Sequence, residues 1–464
     1  MSHQLWEEPR GILRLSLPDI RRRMIRLWRR QARLLLVGAV ALLALAAAGC
    51  DGGEEEEAPT ATRTPAVTIT AATPQPTSTT VTATPGVTGP LVGVNGEIVL
   101  GSHFARTGTY GAAFAPVLAG VEAYVTYLNA EKGGVCGRKI VLKTEDDQYD
   151  PALAVEAVRK LVEQDKVFAI VAGLGTAAHS AVWDYLNERG IPDLWVMSGA
   201  HKWGADPQAH PWTVGILPDY FVEATIFGKY ISQNLPGKKV AILYQNDDYG
   251  RDELAGLKNG LDSSKNQLVS EQSYESTAVD IRSQVTNMKE AGAEAVVCAC
   301  TPGYAAQAIK GGNRMGWKPQ WLLGYVNSDP VMFQYASPQD MEGTLSLQGN
   351  KLIDWTDDPA VARHHEIMQK YGQGVPGNFT LMGQIAGVLT EEALNRTCDN
   401  LTREGLMAAV ESFQDYQGDL SLPGVTLTFS PDDHIGTEAL RLLRAKIKDG
   451  KGVWEYEGEL IHFR

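Results

Sequence analysis

A glycine-rich corner with one hydroxyl group lies in the run VAGLGTAAHS, where Gly173, Gly175 and Thr176 fall at the junction of a predicted strand and a predicted helix. Backbone N–H groups at such a junction are free to donate, and with the Thr176 hydroxyl they suit the binding of a carboxylate. The hydroxyl could instead only cap its own helix. The run is not a dinucleotide-binding fingerprint, because Ala178 replaces the third glycine of that pattern.

Candidate polar residues also follow other predicted strands. Residues 198–201 come at the end of DLWVMSG and beyond it, Cys300 and Thr301 end AVVCACT, and Tyr325 and Asn327 come after WLLG. In open α/β sheets, ligands bind at the carboxyl ends of the strands. We therefore expect these residues to share one rim with the glycine-rich corner.

Serine and histidine side chains near these corners raise the alternative of a hydrolase, with Ser180 or Ser198 as nucleophile and His179 or His201 as base. The sequence contains no G-x-S-x-G nucleophile elbow, and Ser180 falls within a predicted helix. The sequence therefore predicts a protein that is not an enzyme.

Two runs could suggest a metal, but neither has the required partners. The acids of FSPDDH read as a solvated turn, and the C-x-C run has no second cysteine or histidine cluster nearby. We therefore predict neither a metal nor a cofactor. Cys298 and Cys300 share one face of a strand and are predicted to be buried thiols, whereas Cys136 and Cys398 form a possible disulfide.

The elements that must position these residues alternate along the chain. Apolar runs such as KIVLKTED and VFAIVAG are followed by helical patterns, of which one begins at Asp150-Pro151, an N-cap followed by proline. Alternation of strands and helices predicts an α/β protein with parallel sheets covered on both faces. Because the alternation restarts near residue 218, we expect two doubly wound parallel-sheet lobes.

The N-terminal segment predicts export. Residues 34–49 form an apolar run that is too short to span a bilayer, and it follows a cluster of arginines. Residues 1–49 therefore read as a signal peptide, with Met1 or Met24 as the start. The sequence AAGC resembles a bacterial lipobox, although Ala47 stands where leucine is usual, so Cys50 is the predicted lipidation site. Residues 50–95, rich in threonine and proline, read as a disordered tether.

The remaining chain resembles the extracytoplasmic solute-binding proteins of branched-chain amino acid ABC importers, which have a type I periplasmic-binding fold. The resemblance rests on FARTGTYG, NAEKGGVCGRKI, EDDQYDP, VAGLGTAA, VMSGA, YQNDDYG, LTREGLMAAVES and FSPDDH in this order. It implies lobes joined by a three-crossing hinge, with crossings near Leu217, Gly349 and Glu438. Lobe 1 would comprise residues 96–217 and 350–438, and lobe 2 residues 218–349 and 439–464.

The resemblance also implies a set of ligand contacts in the cleft between the lobes. Tyr110 and Tyr249 match aromatic residues that lie against the ligand, Phe379 would close the pocket, and Thr176 gains support as a contact. The full candidate set is Tyr110, Thr176, Ser198, Gly199, Ala200, His201, Asp219, Tyr249, Cys300, Thr301, Tyr325, Asn327 and Phe379.

One departure from the family concerns the ligand amine. Amino-acid binders carry an acid just beyond the strand that corresponds to WLLG, because a buried cation needs a partner. Here that region reads Gly324-Tyr325-Val326-Asn327, and the nearest acids are Asp219 and Asp329. Either acid could substitute, or the ligand could lack an amine.

Charge and resemblance together define the expected partners. The formal net charge of −13 argues against binding to nucleic acid. We expect a monomer, held to the cell membrane of a bacterium only by its lipid anchor, that captures a small amino acid, amide or carboxylate and delivers it to an ABC permease. The alternative is a ligand-sensing subunit for a membrane signalling partner.

Overall fold

The computed structural model describes residues 96–463, which belong to one compact unit. The predicted signal peptide, Cys50 and the tether lie outside the described residues. Two sheets are present, and the first is wholly parallel with the strand order β2-β1-β3-β4-β5. Its strands are β1 Ile98–Phe104, β2 Ile140–Asp146, β3 Ala169–Val171, β4 Asp193–Val196 and β5 Thr213–Gly215.

The second sheet has the order β12-β11-β10-β9-β8-β6-β7. Its strands are β6 Lys239–Gln245, β7 Gln267–Tyr274, β8 Ala295–Ala299, β9 Gln320–Leu323, β10 Leu345–Gln348, β11 Ala439–Lys448 and β12 Lys451–His462. It is parallel from β7 to β10, but β11 and β12 are antiparallel. Only Asp449 and Gly450 separate β11 from β12, and both have positive φ angles of 50° and 75°. Such a two-residue turn gives a hairpin, so the end of this sheet departs from the parallel prediction.

Helices cover both sheets. They are α1 Gly108–Tyr127, α2 Pro151–Arg159, α3 Thr176–Ser180, α4 Trp183–Glu188, α5 Lys202–Ala205, α6 Tyr220–Asn234, α7 Asp248–Gly260, α8 Arg282–Glu290, α9 Pro302–Arg314, α10 Met332–Tyr335, α11 Pro338–Met341, α12 Pro359–Tyr371, α13 Asn378–Arg396 and α14 Arg403–Glu411. The predicted cap at Asp150 is confirmed, since its carboxylate accepts hydrogen bonds from the N–H groups of Ala152 and Leu153.

Helices α1 and α13 cross at unusually close range. A Cβ atom at Gly120 would lie 2.1 Å from the Thr380 carbonyl oxygen, and one at Gly383 would lie 1.9 Å from that of Val117. Only glycine permits this approach. Among the described residues, the segment Gly108–Lys132 alone has the length and hydropathy of a membrane span, but most of it is buried inside the protein, as expected of a core helix.

The cysteines form two disulfides. Cys136 and Cys398, the possible pair, are bonded across 262 positions of sequence. Cys298 and Cys300 are also bonded, so the prediction of two buried thiols was wrong. The prediction assumed an extended strand, in which Cα atoms two residues apart lie about 6.6 Å from each other. Strand β8 ends at Ala299, and the two Cα atoms are only 5.2 Å apart, which brings the sulfur atoms together.

Candidate functional site

A small cavity of about 30 Å³ lies where the carboxyl ends of strands from both sheets meet. Leu174 follows β3, Met197 follows β4, Tyr249 follows β6, Thr301 follows β8 and Val326 follows β9. The cavity therefore lies at the carboxyl ends of the strands, which is the edge of the sheets where the sequence predicts the site. The complete lining is Phe114, Tyr149, Leu174, Gly175, Thr176, Met197, Leu217, Tyr220, Tyr249, Thr301, Val326, Phe379 and Met382.

The polar corner of the cavity is built by Thr176 and Ser198. Thr176 is the first residue of α3, and its hydroxyl lies 2.7 Å from that of Ser198 rather than capping the helix. Gly175 precedes it with a φ angle of 100°, and a Cβ atom there would lie 2.5 Å from the Tyr149 ring. The glycine thus lets the ring pack against the corner. When Ser198 donates to Thr176, the Thr176 hydroxyl hydrogen is left to donate to a ligand oxygen.

Tyrosine rings form much of the cavity wall. The rings of Tyr220 and Tyr249 lie 4.4 Å apart between centroids, and the Tyr249 hydroxyl donates to the Cys300 carbonyl oxygen at 3.3 Å. Burial raises the pKa of Tyr149, Tyr220 and Tyr249 above the usual range for a phenol. All three therefore remain uncharged hydroxyl groups at neutral pH.

Tyr110 lies next to the cavity but does not line it. Its ring stacks on Tyr149 at 4.1 Å between centroids, and its hydroxyl donates to the Ser276 carbonyl oxygen at 2.8 Å. Tyr110 stands in α1, beside the first sheet, whereas Ser276 follows β7 of the second. Tyr110 therefore connects the two sides of the cleft.

Further contacts join the two sides along the same rim. Lys202 in α5 donates to Asp248 at 2.8 Å, and the backbone N–H of His201 donates to Asp252 at 2.9 Å. Gln245 Nε2 donates to the Tyr149 hydroxyl at 3.3 Å. The rim is therefore closed over the cavity in this structure.

The remaining predicted residues of the second corner support the site from outside the cavity. His201 Nδ1 lies 2.5 Å from the Asp219 carboxylate, which also accepts from the N–H groups of Phe221 and Val222 at the start of α6. The Gly199 carbonyl accepts from Tyr220 N–H at 2.8 Å, and Ala200 N–H donates to the Ser198 hydroxyl at 3.3 Å. These contacts hold the corner and the start of α6 together.

Cys300, Tyr325 and Asn327 also lie behind the lining. Cys300 is fully buried and disulfide-bonded, and its carbonyl accepts from Asn327 Nδ2 at 2.9 Å as well as from Tyr249. The Tyr325 hydroxyl accepts from Asn350 Nδ2 at 2.9 Å, on a second small cavity that shares Leu217 and Met382 with the first. Of the thirteen candidates, Thr176, Tyr249, Thr301 and Phe379 line the main cavity.

A chain of buried histidines and aspartates lies beneath the glycine-rich corner. Asp147, His103, His179 and Asp193 are bonded in that order, at 2.7, 2.9 and 2.7 Å, and all four are fully buried. A Cβ atom at Gly173 would lie 2.7 Å from His103 Nε2, so this glycine lets the loop lie directly on the two rings. Burial lowers the pKa of His179, while Asp193 opposes the shift. His179 thus supports the corner and is no serine-activating base, since Ser180 donates instead to the Thr176 carbonyl oxygen.

A pair of buried glutamates stands behind Tyr249. Glu223 in α6 and Glu253 in α7 are fully buried, and a Cβ atom at Gly324 would lie 3.3 Å from Glu253 Oε1 and 3.6 Å from Glu223 Oε1. Burial raises the pKa of Glu223 to about 8 and that of Glu253 well above its usual value. Tyr325 N–H donates to Glu223, but both oxygens of Glu253 lack a donor from the described protein. Burial without donors for these oxygens disfavours the charged carboxylate, so it favours the protonated form of the pair.

Several lining residues were missed by sequence reasoning. Tyr149 lies in the EDDQYDP run, and its φ angle of 66° could not be foreseen in a non-glycine residue. Tyr220 directly follows the candidate Asp219, and this adjacency in sequence was the signal that could have identified it. Phe114, Met197, Leu217 and Met382 are apolar residues with no spacing that separates a cavity wall from ordinary core.

Comparison with known proteins identifies the class. A profile of the periplasmic binding protein family matches residues 97–451. The "Leu/Ile/Val-binding protein homolog 7" of Brucella abortus (strain 2308) is 23% identical over 325 residues, covering 65% of this chain and 77% of the relative.

Solved structures agree in fold. A branched-chain amino acid ABC transporter protein from Thermus thermophilus with bound valine has a TM-score of 0.69 and 24% identity, covering 78% of this chain and 97% of that one. A solute-binding protein of an ABC transporter from R. palustris in complex with benzoate has a TM-score of 0.67 and 17% identity, covering 79% and 97%.

The chain belongs to the periplasmic binding protein family, and it has the type I fold of that family. It is a solute-binding protein whose listed relatives include Leu/Ile/Val-binding protein homologs, which confirms the resemblance seen in the sequence. Members of this class bind solutes rather than transform them, in agreement with the prediction that the protein is not an enzyme.

Proposed function

We propose that the protein captures a small apolar ligand with a carboxylate or similar oxygen-rich head and delivers it to an ABC permease. The observation that carries this proposal is the Thr176 hydroxyl, supported from behind by Ser198, at one corner of a cavity whose lining is otherwise mostly apolar and aromatic. Hydroxyl donors suit an oxygen head, and the rings and aliphatic side chains suit an apolar or aromatic body. The valine and benzoate of the two related structures each combine a carboxylate with an apolar body.

Capture would proceed by closure of two lobes. We propose lobe 1 as residues 96–217 with 350–438 and lobe 2 as residues 218–349 with 439–464, with crossings near Leu217, Gly349 and Glu438. The division is supported by the sheets, since β1–β5 fall in the first set and β6–β12 in the second. Two lobes joined by several crossings can rotate as rigid bodies while each keeps its own core.

Delivery would take place at the outer face of the cell membrane. We propose that Cys50 carries the lipid anchor, and that residues 50–95 form a tether which lets a monomeric binding body reach the permease. The proposal for this segment rests on the sequence alone, through the short apolar run, the small residues before Cys50 and the threonine- and proline-rich composition.

The function is tested by a thermal-shift screen of small carboxylates, amides and amino acids, followed by calorimetry on the Thr176→Val variant. Loss of the Thr176 hydroxyl should weaken binding of the best ligand by about 1–3 kcal/mol, because a polar partner is left unpaired in a closed site. Thr126→Val is the matched control, since the Thr126 hydroxyl bonds only to the Glu122 carbonyl on the exposed side of α1. Unchanged affinity in Thr176→Val, or a screen without any stabilising oxygen-headed ligand, would contradict the proposal.

A further inference from the structure

The charges around the cavity restrict the ligand further, on the premise that the proposed function is correct. Of the described residues that line the cavity, none carries a charged side chain. A ligand with a buried ammonium group would therefore need an acid from just behind the lining, because a buried cation is costly without an anionic partner. Seven acids near the lining are considered. Asp147 is bonded to His103 and to Tyr149 N–H, and Asp252 accepts from His201 N–H. The other five are Asp219, Glu223, Asp247, Glu253 and Asp329.

The two acids that could replace the missing family acid are already engaged. Asp219 accepts from two backbone N–H groups of α6 through Oδ1, and its Oδ2 lies 2.5 Å from His201. Asp329 accepts from Val331 N–H at 2.8 Å through Oδ1 and from Phe379 N–H at 2.7 Å through Oδ2. Both carboxylates hold the ends of elements in place, so turning either one to the ligand would break those contacts.

Asp247 is engaged in the same way. It is the N-cap of α7, where Oδ1 accepts from Gly250 N–H at 3.4 Å, while Oδ2 accepts from Gln245 Nε2 at 2.7 Å. The same Gln245 nitrogen reaches the Tyr149 hydroxyl in the cavity wall. The Gln245 amide thus lies between the Asp247 carboxylate and the cavity, and it already donates a hydrogen bond to that carboxylate.

Glu223 and Glu253 are fully buried next to each other, behind the cavity wall. Neither lines the cavity, whose wall on this side is formed by Tyr220 and Tyr249. Burial also raises the pKa of both groups, which disfavours a charged carboxylate at this position. Asn327 Oδ1 is another buried oxygen without a partner here, but it belongs to a neutral amide that cannot balance an ammonium charge.

We infer that the ligand carries an oxygen head and an apolar body but no ammonium group, so that the site takes des-amino carboxylic acids rather than amino acids. The hydroxyls of Thr176 and Thr301 line the cavity and can donate to an oxygen head, and Ser198 lies behind Thr176 as its hydrogen-bond partner. A carboxylate that accepts several hydrogen bonds is stable in such a corner, whereas an ammonium group would meet only neutral acceptors.

The test compares matched pairs of acids with and without the α-amine. We suggest 4-methylpentanoate against leucine and 3-phenylpropanoate against phenylalanine, titrated calorimetrically into the wild-type protein at pH 7. The des-amino member of at least one pair should bind about 10- to 100-fold tighter, because the extra ammonium would be desolvated without a counter-charge. Equal or tighter binding of the amino acids overturns the inference but leaves the proposed function intact. Binding of neither series overturns the inference, while the proposed function is decided by the wider thermal-shift screen.

The variant Glu253→Gln tests whether the buried glutamates contact the ligand directly. Glu253→Gln keeps the shape of the protonated side chain and should change the affinity for the des-amino acid by less than about twofold. If Glu253 instead served as the counter-charge for an amine, the variant would lose its affinity for the amino acid selectively, by tenfold or more. That result would also overturn the inference, and a melting curve of the variant confirms that it is folded.

Discussion

At the scale of single residues, burial of Glu223 and Glu253 favours the protonated form of their carboxyl groups. Burial desolvates Glu223 and raises its pKa, and the nearby charge of Asp219 raises it further. Hydrogen bonds from the Tyr325 N–H and from Glu253 lower the pKa and so oppose this effect. The net effect raises its pKa from 4.5 to about 8. The pair is therefore a feature of the fold whose energetic contribution depends on pH.

We expect the stability of the protein to fall as pH rises from about 5 to about 8. A carboxyl group whose folded pKa is raised binds its proton more tightly in the folded state, so its contribution is complete below pH 4.5 and is lost towards pH 8. The loss should be on the order of 2–5 kcal/mol. Urea unfolding at both pH values measures it.

Glu223→Gln is the matched variant for this measurement, since its amide cannot ionise. Its unfolding free energy should change less with pH than that of the wild type. A residual slope of the same sign is expected, because burial also raises the pKa of Glu253 well above its usual value and that of Asp252 to about 7. Equal slopes in both proteins would show that the pair does not hold the proton.

At the scale of elements, the crossing of α1 and α13 depends on glycine. We predict that Gly383→Ala destabilises the protein by more than about 2 kcal/mol, because the new methyl group would meet the Val117 carbonyl of α1 and the helices would have to separate. Gly303→Ala in α9 is the control, since its Cβ would meet open space. This control should be neutral or more stable by about 0.5–1 kcal/mol. Similar effects of the two changes in urea unfolding would contradict the close crossing.

The elements also show how far the sequence predicts the site. The alternation of strands and helices was sufficient to place Thr176, Thr301 and Tyr249 at strand ends, because that geometry follows from local pattern alone. The hairpin β11–β12 and the Cys298–Cys300 bond were not foreseen, since each depends on a local departure from extended backbone. The position of Tyr110 depends on its stacking with Tyr149, a contact between residues 39 positions apart that no local pattern encodes.

At the scale of the whole molecule, the rim contacts connect closure of the cleft to ligand release. Tyr110→Phe removes the hydroxyl that bonds to Ser276, while Tyr304 still donates to the same carbonyl. The variant should release ligand about 2- to 10-fold faster, as expected for a lost hydrogen bond of about 0.5–1.5 kcal/mol. Stopped-flow kinetics measure the dissociation rate.

Tyr185→Phe is the control for this experiment, since the Tyr185 hydroxyl bonds to Glu163 on the surface, away from the cleft. Its dissociation rate should equal that of the wild type. If Tyr110→Phe also dissociates at the wild-type rate, the Tyr110–Ser276 bond plays no part in keeping the cleft closed.

The packing of α1 on α13 has a consequence for the order of events during synthesis. The ribosome completes α1 long before α13, and at roughly 5–20 residues per second the wait is on the order of ten to fifty seconds. Throughout that interval the side of α1 around Gly120 that receives α13 has no native partner, and Cys136 has no Cys398 with which to pair. The native contacts of this side of α1, and the disulfide of Cys136, therefore form only after residues 378–398 have been synthesised.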